Sequence, residues 1–174
     1  MLINLSDVLT SEGRTETVTA PVEMMSFISR LGKFPIQEKS PVAFTFTNIG
    51  RDKVKAEGSV RFVFETRCDR CLGEVPTVLE LKFNRVIVSP GVTADDEAEE
   101  SPNYMEGYQL NTETFVYNEI LVNWPVKILC REDCRGVCPV CGQNLNVREC
   151  GCDSFVPDPR MAVIQDIFNA NKEV

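Results

Sequence analysis

Eight cysteines and no histidine stand in the 174 residues of this chain, and that combination limits its chemistry more than any other feature. Without His there is no serine triad, no Cys–His nucleophile pair, no His-bearing zinc-protease motif and no mixed Cys/His finger. Any metal centre has to be built from thiolates or carboxylates. The cysteines fall in close pairs: Cys68-x2-Cys71, Cys130-x3-Cys134, Cys138-x2-Cys141 and Cys150-x-Cys152. Two thiolates on one short loop can reach a single tetrahedral ion, and a second loop completes four ligands. Cys138-Pro-Val-Cys-Gly142 is the sharpest fragment, because Pro after the first Cys and Gly after the second favour a tight knuckle that turns backbone N–H groups toward sulfur.

Zinc is the expected ligand, weighed against three alternatives. Disulfides are disfavoured because Met1–Asp7 lacks the basic and apolar stretches of a secretory signal, and the chain is expected in the reducing cytoplasm. A redox pair at Cys68/Cys71 needs a βαβ context and a helix N-terminus to activate the thiol, and neither is visible after Cys71. An iron–sulfur cluster would also accept four thiolates. Eight ligands suggest two ions. Cys138/Cys141 finds its complement in Cys150/Cys152, which leaves Cys130/Cys134 to fold back onto Cys68/Cys71. The rival division puts one ion on Cys134, Cys138, Cys141 and one of Cys150/Cys152, with the hairpin thiols free.

The remaining chain reads as α+β: a curled or barrel-like antiparallel sheet domain, a helix and a C-terminal Cys-only zinc ribbon. Val42–Asn48 alternates apolar and polar residues, Gly58–Thr66 places Val60, Phe62 and Phe64 on one face, and Pro76–Val88 is a third strand. Ile49-Gly-Arg-Asp52 signals the turn between the first two. Arg14–Thr19 has strand composition, and Met24–Leu31 suits a short strand or a helix. Asn111–Trp124 is a helix with Asn111 or Thr112 as cap, a face at helical spacing of Phe115, Val116, Glu119/Ile120 and Leu121, and an end enforced near Asn123 by Pro125. Trp124 is expected in the core. Asp158-Pro-Arg160 opens a second helix whose stripe is Met161, Ile164, Ile167 and Phe168. These elements divide the chain into a β-rich part (1–90), an acidic linker (91–103) and a helix-plus-ribbon part (104–174). Phe44, Phe46, Phe62, Phe64 and Phe83 can sustain the sheet, whereas 127–153 has too little apolar material for a core and needs a staple.

The net charge of −8 is uneven. Five acids sit in Asp95–Glu100, while eight bases face six acids between Arg51 and Arg85. That middle is far less basic than a typical nucleic-acid footprint. No apolar run approaches the roughly 18 residues of a membrane span, and no phosphate-cradling loop or carboxylate cluster outside the linker suggests catalysis or a small-molecule substrate.

Asp133-Cys-Arg-Gly-Val-Cys-Pro-Val-Cys-Gly-Gln-Asn-Leu-Asn146, followed by Cys150-Gly-Cys152 and Asp158-Pro-Arg160, resembles the YceD-like family of large ribosomal RNA subunit accumulation proteins. The order of a β-rich half with a Cys68/Cys71 knuckle, an acidic spacer, a helix and a cysteine ribbon is similar as well. The resemblance implies a link to large-subunit ribosomal RNA accumulation and metal binding, with nucleic-acid binding as a further expectation. On that basis the chain is expected to be a non-enzymatic assembly factor contacting a large-subunit ribosomal RNA precursor or a ribosomal protein. Arg67, Arg70, Lys127, Arg131, Arg135 and Arg148, near the knuckles, are the candidate phosphate contacts; their alternative is a solvated rim. A thiol-based redox sensor or oxidoreductase using Cys68/Cys71 is the competing class.

Overall fold

The computed structural model describes residues 1–50, 52–89 and 103–152. It forms two compact units. The sheet unit comprises Met1–Arg67 and Glu74–Ile128. The cysteine unit comprises Cys68–Gly73 and the chain from Leu129, described to Cys152. These units cut across the linear division expected from the sequence: the helix before Pro125 goes with the sheet, and the tip of the long hairpin goes with the cysteines. The acidic run Asp95–Glu100 and the expected helix from Asp158 lie outside the described residues.

In the sheet unit the elements are β1 (Leu2–Asn4), α1 (Ser6–Thr10), β2 (Thr15–Ala20), β3 (Ser26–Ser29), β4 (Gly32–Lys39), β5 (Val42–Gly50), β6 (Lys53–Arg67), β7 (Glu74–Val88), β8 (Met105–Glu106), β9 (Gln109–Asn111) and α2 (Thr112–Asn123). All strand pairings are antiparallel. The main sheet runs β2-β5-β6-β4-β3, and β7 pairs β6 from Lys53↔Val88 to Arg67↔Glu74. A small sheet, β1-β9-β8, accompanies it. The expected barrel does not close. One edge of β6 is taken by β7 and the other is shared by β5 and β4, so the path ends at β2 and β3; no pairing joins either to β7 among the described residues. Closure would need a continuous stagger around the whole ring.

The alternation in β5 buries Val42, Phe44, Phe46 and Asn48. Asn48 is a buried amide, and it is satisfied: Nδ2 donates to the carbonyls of Val8 (2.7 Å) and Leu9 (3.0 Å) at the end of α1, and Oδ1 accepts from Gly50 N (2.7 Å). The expected turn follows, with Gly50 and Asp52 at φ 82° and 56°. Gly58 is in β6 because nothing larger fits: a Cβ there would lie 2.0 Å from Ala43 O and 2.6 Å from the Phe83 ring. Leu81, Phe83 and Ile87 are the inward residues of β7, whereas Val78 is half exposed.

Asn111 caps α2, its Oδ1 accepting from Thr114 N at 3.2 Å. Phe115, Val116 and Ile120 are buried as expected, but Leu121 is exposed. Glu119 takes that share of the buried face and receives Arg85 of β7 through Nε (2.7 Å) and Nη2 (3.3 Å). Trp124 adopts the extended backbone that precedes a proline, and its ring packs on Phe27 (5.0 Å), Phe34 (4.6 Å) and Phe64 (5.0 Å). Within Met24–Leu31 the structure has a short strand, Ser26–Ser29, and no helix. Among the described residues no helix is long and apolar enough to cross a membrane.

Candidate metal centre

All eight thiols are free and meet in two groups of four: Cys68, Cys71, Cys130 and Cys134 in the first, Cys138, Cys141, Cys150 and Cys152 in the second. Within each group every sulfur lies within 4.8 Å of every other. In the first, Cys68 Sγ is 3.7 Å from Cys134 Sγ and Cys71 Sγ is 3.6 Å from Cys130 Sγ. A disulfide needs about 2.05 Å. Four sulfurs each about 2.3 Å from one zinc stand about 3.8 Å apart along the tetrahedral edges, so the spacing suits a shared ion. The grouping matches the division that sends Cys130/Cys134 back to the hairpin pair.

Both groups start from the same local device. In Cys68–Gly73 the Cys68 N–H donates to Gly73 O (2.8 Å) and the Leu72 N–H to Cys68 O (2.9 Å). In Cys138–Gln143 the Cys138 N–H donates to Gln143 O (2.8 Å) and the Gly142 N–H to Cys138 O (2.9 Å). The residue after the second cysteine is left-handed in each, Leu72 at φ 60° and Gly142 at 71°. Glycine takes this conformation without cost and Leu does not, which is why only the second knuckle is conspicuous in the sequence. A pair of different spacing completes each group, Cys130-x3-Cys134 in one and Cys150-Gly-Cys152 in the other.

The sulfurs of each group divide sharply in acidity. Burial works to raise the Cys68 thiol, but N–H groups of Cys130, Cys71 and Arg70 outweigh it and bring it from 9.0 to about 6. N–H groups of Cys141 and Val140 bring Cys138 to about 6, the Val140 N–H lying 3.4 Å from its sulfur. Burial also works against the Cys134 thiolate, which is still favoured because the Asn146 amide and the Gly136 N–H point at it. Cys130, whose thiol is hydrogen-bonded to the Cys134 sulfur, and Cys152, hydrogen-bonded to Cys141, are pushed up to about 12. Four crowded sulfurs cannot all ionise beside one another. A cation among them removes that conflict, and this donor set fits a thiophilic tetrahedral dication.

Three of the candidate arginines, Arg70, Arg131 and Arg135, have structural partners in the cysteine unit. Arg70 donates from Nη1 to Cys134 O (2.9 Å) and Glu132 O (3.3 Å), and its own carbonyl accepts from Val137 N (3.1 Å). Arg131 reaches Asn146 Oδ1 (2.8 Å) and Asp133 (3.3 Å), and Arg135 pairs with Glu149 at 2.7 Å. The Arg148 side chain is exposed and makes no ion pair among the described residues. Arg67 and Lys127 are exposed residues of the sheet unit.

Sequence reasoning missed Asn144 and Asn146. Asn146 Nδ2 donates to Cys134 Sγ (3.3 Å) and to Asn144 Oδ1 (2.9 Å), while its Oδ1 also accepts from Arg135 N (2.8 Å). The only signal was the polar Gln143-Asn-Leu-Asn146 directly after the sharper knuckle.

No curated protein and no solved structure matches the chain. The family model described as large ribosomal RNA subunit accumulation protein YceD matches residues 56–168, from near the start of β6 through all eight cysteines. That span is well over half of the chain, and the chain therefore belongs to the YceD family of large ribosomal RNA subunit accumulation proteins.

Proposed function

We propose that this protein is a cytoplasmic, non-enzymatic factor that supports large-subunit ribosomal RNA accumulation by binding an assembly precursor. Its cysteine unit is held in shape by two zinc ions, one on each group of four thiolates. The observation that carries this reading is the coincidence of the family match with two complete four-sulfur groups inside the matched span. Zinc fits better than a redox role for Cys68/Cys71, because Cys68 is fully buried and Cys71 is 8% exposed. Thiol–disulfide exchange needs an accessible sulfur.

Charge favours a basic ribosomal protein as the surface met by the cysteine unit. Four arginines and four acids balance among its described residues. A dication on four thiolates leaves two negative charges per site, so loading makes the unit anionic. Arg131 and Arg135 are already paired with Asp133 and Glu149. Phosphate contact then falls to Arg148, Arg67 and Lys127. Crosslinking in cells, followed by RNA sequencing and protein mass spectrometry on one sample, tests both levels. Large-subunit precursors or their proteins should be recovered. Recovery of neither would refute the assembly role, and recovery of RNA crosslinked to the cysteine unit itself would refute the protein contact.

A further inference from the structure

The segment from Cys134 to Cys138 links the two thiol groups with three residues between ligands, and both of its sides are clamped. On one side Val137 N donates to Arg70 O (3.1 Å), and Arg70 Nη1 holds Cys134 O. Gly136, at φ 77°, lies against the Arg70 carbonyl so closely that a Cβ would sit 3.1 Å from it. On the other side Val137 bridges Asn144, and Leu145 N donates to Gly136 O at 2.9 Å. Asn144 to Asn146 belong to the loop between Cys141 and Cys150, which the second group closes. From that loop Asn146 reaches back to the first group, donating to Cys134 Sγ and accepting from Arg131 and from Arg135 N.

We infer that the two thiolate sites bind metal cooperatively, with Asn146 as the positioning residue that transmits the second site's closure to the first. This deepens, and rests on, the reading that both groups hold a metal ion. Ordering the 141–150 loop around the second ion places an amide donor on the Cys134 sulfur before the first ion arrives. Ordering the first site fixes Arg70 and Cys134, and with them the Gly136–Val137 segment that Asn144 and Leu145 dock on. Each site thereby removes part of the ordering entropy of the other. A partner that merely held the backbone would need only the Asn146 carbonyl oxygen; the bond to sulfur needs its N–H.

The test is zinc competition against a chromophoric chelator on the full chain, with Cys68→Ser/Cys71→Ser and Cys138→Ser/Cys141→Ser each disabling one site. Disabling the second site should weaken zinc at the first by at least about fivefold, and the reverse pair should show the same factor, because coupling between two sites is reciprocal. Asn146→Ala should weaken the first site about tenfold, in the range of other partners that hold a metal ligand, and shrink the coupling factor. Asn146→Asp keeps the acceptor for Arg131 and Arg135 but loses the donor, so it should weaken the first site at least as much as Ala. With cobalt as probe, either variant should move the thiolate charge-transfer band of the first site to lower energy. Trp124 fluorescence reports that the sheet unit is folded throughout. Two ions bound with independent affinities, or Asn146→Asp binding like the unaltered chain, would overturn the coupling alone. Failure to bind metal at all would overturn the metal reading together with it.

Discussion

Metal removal should unfold the cysteine unit and leave the sheet unit intact, and the structure fixes how large the contrast must be. Among the described residues the buried apolar groups of the cysteine unit are cysteines alone, namely Cys68, Cys71, Cys134 and Cys138. Its aliphatic residues are half-buried at best: Leu129, Val137 and Leu145, with Leu72, Val140 and Val147 exposed. Full burial of a Val or Leu is worth about 1.5–3 kcal/mol, so three half-buried side chains contribute about 2–4 kcal/mol together. A structural zinc site supplies roughly 10–16 kcal/mol. The sheet unit, by contrast, has Phe27, Phe44, Phe46, Phe62, Phe64 and Phe115 fully buried. The assay is hydrogen exchange read by mass spectrometry, with thiols kept reduced, before and after chelation. Amides of Cys68, Leu72, Cys138, Gly142 and Leu145, all hydrogen-bonded in the knuckles or to the segment beside them, should exchange about a thousandfold faster or more without metal. Amides of β6 and β7 should hardly change, and Trp124 fluorescence should stay native. Knuckle amides that remain protected in reduced, metal-free protein would show that packing, not metal, holds the unit, and the reasoning would fail.

Other expectations are simpler. Elemental analysis of the purified protein should find about two zinc per chain, and thiol titration on denaturation should find eight free thiols; four disulfides would contradict this, and a brown chromophore would point to iron–sulfur. Gly58→Ala should cost the sheet unit about 3 kcal/mol, because the new methyl meets the Ala43 carbonyl rather than a side chain that can yield; an unchanged thermal midpoint would contradict that contact. Arg85→Ala leaves the buried Glu119 carboxylate without its cation and should destabilise by about 2 kcal/mol, less than the roughly 3–5 of a fully buried pair because the Arg85 side chain is 45% exposed. Adding Glu119→Gln to that variant should recover part of the loss in denaturant titration, and no recovery would rule out an unpaired-charge cause.

The sequence alone located the strands with strict alternation and the helix with a cap and a stop. Val42–Asn48 could bury one face only as a strand, and Asn111 with Pro125 marked α2 at both ends. It also paired the cysteines within loops, because one to three intervening residues leave little choice of geometry. The barrel expectation failed because closure is a property of edges, and no local pattern records that β5 and β4 share one edge of β6. Strand β4 was unread for a related reason: Gly32–Lys39 is mostly exposed, so its pairing, not its burial, makes it a strand. Helical spacing put Glu119 on the inward face of α2, but only the fold shows the Arg85 guanidinium that partners its carboxylate. Which thiols share a group was decided by contacts about 60 residues apart, Cys68 with Cys134 and Cys71 with Cys130. The same holds for Asn146, whose two-residue bond to Asn144 is local but whose bond to the Cys134 sulfur exists only once the loop has closed. Local spacing dictates what a short loop can offer, and tertiary structure alone decides which loops offer it to one another.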